Sequence, residues 1–197
     1  MLIFRRMKDV KSVIPKQAGG QHMSLFRRLF PVGTRSLLFG VHQFLWHPWT
    51  VYRAWRYLYG KPTWREIVCI FLHDLGYFGK PNMDGKEGGR HPEVGAKIAD
   101  RLFGDEYRQL VLYHSRHYAK MQGELPSKLC WADKLSIMFD PKWFYLLRAR
   151  FTGEIKEYRF YGKSSVAMSK SDSEWFDWIT HHFVESARME STQIKKV

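Results

Sequence analysis

The sequence predicts an all-α protein in which one helical bundle follows a basic amino-terminal arm. Apolar residues recur at helical spacing in several segments, and capping residues and glycines mark where those segments begin and end. No segment alternates convincingly between apolar and polar residues, as a half-buried strand does. A chain of 197 residues is long enough to bury one core without disulfides.

The first two helices of the bundle are predicted from spacing and capping. Apolar spacing becomes helical from about residue 42 and is broken at Gly60. Thr63 followed by Glu66 is a capping box, which predicts a helix that begins there and runs through the letters IVCIFLHD. The His-Asp doublet in this run is therefore expected at the carboxyl end of the second helix.

The middle of the chain predicts a loop and two further helices. Residues 76–90 are rich in glycine and are expected to form a loop. The run HPEVGAKIADRLFG predicts a helix with Pro92 in its first turn. The run DEYRQLVLYHSRHYAK predicts one continuous helix, on which His114 and His117 would share a face.

Three more helices are predicted in the carboxyl-terminal part of the bundle. The run LCWADKLSIMF follows a helix start near Pro126 or Ser127 and places an aspartate among apolar neighbours. KWFYLLRARF is an amphipathic run, and so is EWFDWITHHFVESA, which Ser171 and Glu174 cap. We expect these last two helices to close the core.

Positive charge is concentrated at the amino terminus. The formal net charge is +13, and residues 1–35 carry eight Lys/Arg against one acid. Such a field favours anionic partners, such as phosphorylated metabolites, nucleic acid or an acidic membrane surface. We therefore divide the chain into a basic arm at 1–35, a bundle at 36–190 and a tail at 191–197. The arm is expected either to pack on the bundle or to bind phosphate or lipid.

Two features favour a cytoplasmic location. The two cysteines, Cys69 and Cys130, lie in apolar helical runs, where buried free thiols in a reducing compartment are expected. No apolar run reaches the roughly 18 residues of a membrane span, and the amino terminus lacks the apolar segment of a signal peptide. The sequence predicts no transmembrane segment and leaves the oligomeric state open.

Histidines and aspartates gather in the central part of the sequence. Six of the nine histidines lie between His42 and His117, and Asp74 and Asp133 sit in otherwise apolar runs. A buried carboxylate costs several kcal/mol unless a cation or donor pairs with it. Imidazole and carboxylate together suit a divalent transition metal such as Mn, Fe, Co, Ni or Zn. Neighbours in a helix point about 100° apart, so a His-Asp doublet can converge on one ion only near a helix end.

Three segments resemble the HD-domain superfamily of metal-dependent phosphohydrolases. They are HPWTVYRAW at 47–55, FLHDLGY at 71–77 and WADKL at 131–135. The resemblance implies a single helical HD domain in which a histidine, the doublet and a distant aspartate bind the first metal. In this sequence those residues are His47, His73, Asp74 and Asp133. The doublet alone is a weak motif, and the three segments together make a strong one.

The resemblance also implies a second ion in some members, held by two further histidines and bridged by the aspartate of the doublet. The matching candidates are His91 and His114. His117 competes with His114, and could instead contact substrate phosphate. His42 competes with His47, although the residues after His47 fit the family pattern better. One ion or two therefore remains open.

Cationic side chains near the expected ligands are candidates for binding phosphate. Lys134 and Arg116 are the leading candidates for catalytic charge neutralisation, together with Asp74 at the metal. The candidates for substrate binding are Lys80, Arg90, His117 and Lys120. Each cation could equally be solvated surface charge. The loop at 76–90 could be a lid, and an aromatic side chain could stack a nucleobase, although loops are often plain connections and aromatic residues at helical spacing usually form core. The aromatic candidates are Trp46, Trp49, Tyr52, Trp55 and Tyr57.

These observations favour hydrolysis of a phosphomonoester or phosphodiester, most naturally in a nucleotide, by metal-activated water. A mixed-valent di-iron oxygenase with the same ligand order is the first alternative. The second is a non-catalytic module that binds a ligand or, through the basic arm, nucleic acid. The cations near Asp133 favour the hydrolase, and the complete ligand set argues against the non-catalytic module.

Overall fold

The computed structural model describes residues 30–161 and 169–194, and these ranges form α-helices joined by short connections. The helices are α1 (Val32–Phe39), α2 (Trp46–Tyr59), α3 (Trp64–Leu72), α4 (Pro92–Phe103), α5 (Asp105–Leu112), α6 (Arg116–Gln122), α7 (Lys128–Leu135), α8 (Lys142–Thr152), α9 (Glu154–Tyr161) and α10 (Asp172–Ile194). Short 3-10 helices lie at Leu75–Tyr77, Gly88–Arg90 and Ser136–Phe139. No strand occurs in these ranges, so the predicted all-α class is confirmed.

The predicted helix ends of α3 and α4 are confirmed. The Thr63 hydroxyl accepts a hydrogen bond from the Glu66 backbone N–H at 3.3 Å, and the Glu66 carboxylate accepts one from the Thr63 N–H at 2.7 Å. These bonds satisfy two N–H groups that would otherwise lack partners in the first turn of α3. Pro92 begins α4, and Gly104, with φ 91°, ends it.

The core consists of two main apolar clusters. The larger lies between α2, α3, α5 and α7 and is built from residues such as Val51, Ile70, Val111 and Leu129. The second cluster joins the 3-10 helix after α7 to α8 and α10; it contains Ile137, Tyr145, Leu146, Trp175 and Phe176. Both predicted carboxyl-terminal helices therefore contribute to the core. Cys69 and Cys130 are buried free thiols.

Two glycines bring the end of α3 against α4. A Cβ on Gly76 would lie 2.0 Å from the carbonyl oxygen of His91, and a Cβ on Gly95 would lie 2.3 Å from that of Leu72. Only glycine permits so close an approach between backbones. The segment that follows α3 is thereby held next to His91, which precedes α4.

The predicted continuous helix over DEYRQLVLYHSRHYAK is wrong. It breaks between α5 and α6 at residues 113–115. The Ser127 N–H donates to the carbonyl of Tyr113 at 3.1 Å, and the Ser127 hydroxyl donates to that of Leu110 at 2.8 Å. These two carbonyls therefore accept hydrogen bonds from Ser127, which precedes α7, at the point where the helix breaks. His114 and His117 consequently do not share a helix face.

The predicted boundary at residue 35 falls inside α1, which is largely buried. Residues 1–29 of the predicted arm lie outside the described residues, so its role stays a prediction. The predicted tail at 191–197 begins within α10, and residues 195–197 lie outside the described residues. None of the helices in the described ranges is long and apolar enough to cross a membrane.

Candidate metal centre

Three helices bring together the four residues expected to bind the first ion. His47 lies in the first turn of α2, and Asp133 lies in α7. His73 caps the carboxyl end of α3, and Asp74 follows it with φ −102° and ψ 0° outside regular helix geometry. The expected position of the doublet at a helix end is therefore confirmed, and both side chains turn to one side.

The ligand atoms of this first group are close together. His47 Nε2 lies 3.1 Å from Asp133 Oδ1 and 3.3 Å from Asp74 Oδ2. His73 Nε2 lies 3.2 Å from Asp74 Oδ2 and 3.9 Å from Asp133 Oδ1. One atom from each of the four residues lies within 4.8 Å of all the others. The group can hold a metal ion.

A second group forms around the other oxygen of Asp74. His91 Nε2 and His114 Nε2 each lie 3.5 Å from Asp74 Oδ1, and the two nitrogens are 3.0 Å apart. These three residues also meet the distance requirement for holding an ion. Each oxygen of the Asp74 carboxylate thus faces a different set of nitrogen atoms.

The separations suit transition-metal ions. Ligands about 2.1 Å from an ion lie about 3.0 Å apart at octahedral angles and about 3.4 Å apart at tetrahedral angles. Most distances within the two groups lie between 3.0 and 3.5 Å. Three buried atoms of the first group, His47 Nε2, His73 Nε2 and Asp74 Oδ2, have no hydrogen-bond partner. A cation would satisfy all three, so the residues present fit a divalent metal.

Backbone hydrogen bonds fix the tautomer of three of these histidines. The Nδ1–H groups of His73, His91 and His114 donate to the carbonyls of Ile70, Gly88 and Val111, at 2.6, 2.8 and 2.5 Å. Each Nε2 therefore presents a lone pair to the site when the ring is neutral. The lone pairs of His91 and His114 would repel each other at 3.0 Å, and an ion beside them would remove that repulsion.

The pKa values reflect the charges that meet in the centre. Burial alone would lower the pKa of His73, but Asp74 and Asp133 outweigh it and raise that pKa to about 10. The pKa of Asp74 is well below its ordinary value despite burial, because His73 and His42 stabilise the carboxylate. Burial, and then the charge of His114, lowers the pKa of His91 to about 3. The first group therefore attracts positive charge, whereas His91 is neutral near pH 7.

Lys134 lies at the edge of the first group. Its Nζ donates to Asp133 Oδ2 at 3.1 Å, while the Oδ1 atom of Asp133 faces the histidines. Burial lowers the pKa of Lys134, but Asp133 outweighs it and the pKa is raised, so the side chain stays cationic. The exposed Arg116 is close enough for its charge to act on Lys134. Lys134 therefore contacts a proposed ligand directly, and Arg116 acts on Lys134 through its charge.

Of the four predicted substrate-binding residues, three are exposed and Lys80 is half-buried. Arg90 is exposed and forms two hydrogen bonds with the Glu93 carboxylate, each at 3.0 Å. His117 and Lys120 are exposed on α6, where the His117 ring packs on Tyr118. Lys80 is half-buried and accepts a backbone hydrogen bond from Gly33 at 3.0 Å. Their roles remain predictions.

The loop at 76–90 is anchored by a buried residue, and the aromatic candidates differ in how deeply they are buried. Met83 anchors the loop: its side chain is fully buried, and its N–H donates to the Glu157 carboxylate at 2.7 Å. Trp55 belongs to the core, whereas Trp49 and Tyr57 are exposed. The lid and base-stacking interpretations therefore stay predictions.

Sequence reasoning missed two residues beside the centre. The ring of Tyr77 stacks on His91 with centroids 4.0 Å apart and planes 10° apart. Its position three residues after Asp74 could have indicated this. Glu154, at the start of α9, is fully buried and lies 3.6 Å from His42 Nδ1. Nothing in its local sequence indicates that contact.

All six proposed ligands lie in the central segment of the chain, between His47 and Asp133. No curated protein and no solved structure gives a significant match to the chain. The family model of the HD domain matches residues 46–138. This range contains α2 to α7, and with them both groups of ligands. This match supports membership of the HD-domain superfamily.

Proposed function

We propose that this protein is a metal-dependent phosphohydrolase that cleaves a phosphomonoester or phosphodiester, most naturally in a nucleotide. The observation that carries the proposal is the shared carboxylate of Asp74. Its Oδ2 atom faces His47 and His73, and its Oδ1 atom faces His91 and His114. With Asp133, these residues would hold two adjacent divalent ions.

In such a reaction, some of the protein's residues would bind the ions and others would neutralise the charge of the phosphate. Bound divalent ions would supply a water of lowered pKa and would polarise a phosphoryl oxygen. The ligand histidines would hold the ions with Nε2, because Nδ1 of three of the four is hydrogen-bonded to a backbone carbonyl. Lys134, oriented by Asp133, would neutralise phosphate charge, and Arg116 would contribute at the outer edge.

The test combines metal analysis with a substrate panel. Purified protein is assayed against nucleotides and simple phosphodiesters with Mn, Co, Ni, Mg, Zn or Fe added separately. We expect hydrolysis with at least one transition metal, and loss of both activity and bound metal in His73→Ala and Asp74→Ala with helicity retained. Full activity in either variant would overturn the assignment of the doublet.

The same panel separates the alternatives. Tightly bound iron with oxygen consumption and no phosphate release would indicate the di-iron oxygenase. Ligand binding without turnover under any metal would indicate the non-catalytic module. The nearby cations Lys134 and Arg116 favour the hydrolase, since an anionic substrate needs such partners.

A further inference from the structure

A second polar cluster lies beside the metal centre and is built around Glu154. This carboxylate is fully buried. It accepts hydrogen bonds from the Ser36 hydroxyl at 2.5 Å, the Val41 N–H at 2.7 Å, the Thr152 hydroxyl at 2.8 Å and the Tyr158 hydroxyl at 2.8 Å. Four donors on one buried carboxylate stabilise its charged form and fix its position.

The hydrogen atoms of this cluster determine the tautomer of His42. Ser36 and Tyr158 each have one hydroxyl hydrogen, which each donates to Glu154. Both hydroxyl oxygens also lie 3.1 Å from His42 Nδ1. Because they can offer only lone pairs to that nitrogen, Nδ1 must carry the hydrogen. Nε2 of the neutral ring then bears a lone pair, as it does in the ligand histidines.

The Nε2 atom of His42 faces the metal centre without belonging to either group of ligands. It lies 3.9 Å from Asp74 Oδ2, and the His42 ring packs beside the rings of Tyr77 and His47. A separation of 3.9 Å is too long for a direct hydrogen bond. It matches two polar atoms that contact the same water molecule.

We propose that His42 is a further functional residue of this centre, whose Nε2 accepts a hydrogen bond from a water that also contacts Asp74 Oδ2. Glu154 is the positioning residue that holds the ring in the required tautomer. The inference rests on the proposed hydrolysis, in which this water is the attacking one. Both residues lie outside 46–138, the segment that matches the family model.

The tautomer is tested by nitrogen NMR of the full-length, metal-free protein labelled with ¹⁵N-histidine. The His42→Asn variant assigns the signals. We expect hydrogen on Nδ1 and none on Nε2 in the neutral His42 ring, and a mixture of tautomers in Glu154→Gln. Tyr158→Phe, which removes one acceptor and keeps the aromatic ring, serves if Glu154→Gln does not fold. Hydrogen on Nε2 in the wild type would overturn the proposal.

The role in turnover is tested with His42→Asn, which removes the Nε2 position. We expect kcat to fall about 10- to 100-fold, as for other residues that orient groups around a metal, with KM and bound Mn²⁺ unchanged. The control is His182→Asn, at an exposed histidine of α10 that stacks on Trp178, and it should match the wild type.

Each outcome separates this proposal from the proposed function. Wild-type kcat in His42→Asn overturns the role of His42 and leaves hydrolysis intact. Loss of Mn²⁺ in His42→Asn also overturns it, because His42 would then be a ligand. If the wild-type protein hydrolyses no substrate in the panel, the proposed function fails together with the role of this water in turnover.

Discussion

We expect Gly76→Ala to disturb the second group of ligands and to leave the first group able to bind its ion. The new Cβ would lie 2.0 Å from the carbonyl oxygen of His91, so one backbone must move by about 1.4 Å to restore an ordinary contact of 3.4 Å. Overpacking of this kind costs about 1–3 kcal/mol. For a chain of this size, the melting temperature should fall by about 2–12 °C.

The displacement should affect the second ion more than the first. His91 would move relative to His114, whose Nε2 lies 3.0 Å away, whereas His47, His73 and Asp133 lie on other elements. We therefore expect Gly76→Ala to retain about one bound ion, measured by elemental analysis alongside thermal unfolding in EDTA. The control is Gly89→Ala, because a Cβ there meets nothing within 4 Å. Equal stability and metal content in the two variants would refute the reasoning.

Three further predictions concern the helix cap at Thr63, the proton that metal binding releases from His73, and the basic amino-terminal arm. Thr63→Ala should cost about 1 kcal/mol in urea unfolding without changing metal content, since it removes only a helix cap; loss of metal would contradict this. Zn²⁺ affinity should weaken as the pH falls below the His73 pKa of about 10, because binding must release that proton, and calorimetry in two buffers should detect the release. Deleting residues 1–29, which carry seven Lys/Arg and one acid, should weaken salt-sensitive binding to polyanions and leave metal content intact; unchanged polyanion affinity would refute the docking role.

Local signals in the sequence predicted most of the fold. The capping box at Thr63 and the proline at position 92 each act within one helical turn, so their effect does not depend on distant residues. The break between α5 and α6 was not predictable in the same way. It depends on Ser127, which contacts the carbonyls of Leu110 and Tyr113 only after the chain has folded.

The candidate ligands were predicted from residue type and family resemblance. The sequence left open how many ions they bind and which of the competing histidines are ligands. The structure groups His47 and His114 with the centre and leaves His117 exposed. The sequence could not indicate the contacts that hold the residues around the centre in position. Glu154 reaches His42 only because the first residue of α9 is hydrogen-bonded to Ser36 of α1, and the close approach at Gly76 depends on two backbones meeting.

The ion count per chain tests the shared carboxylate most directly. Elemental analysis after reconstitution with Mn²⁺ or Zn²⁺ would compare the wild type with His91→Ala and Asp74→Asn. Because each oxygen of Asp74 faces a separate group, we predict two ions in the wild type, about one in His91→Ala and fewer than one in Asp74→Asn. A single ion in the wild type, bound equally well by His91→Ala, would contradict the account and make His91 a structural residue.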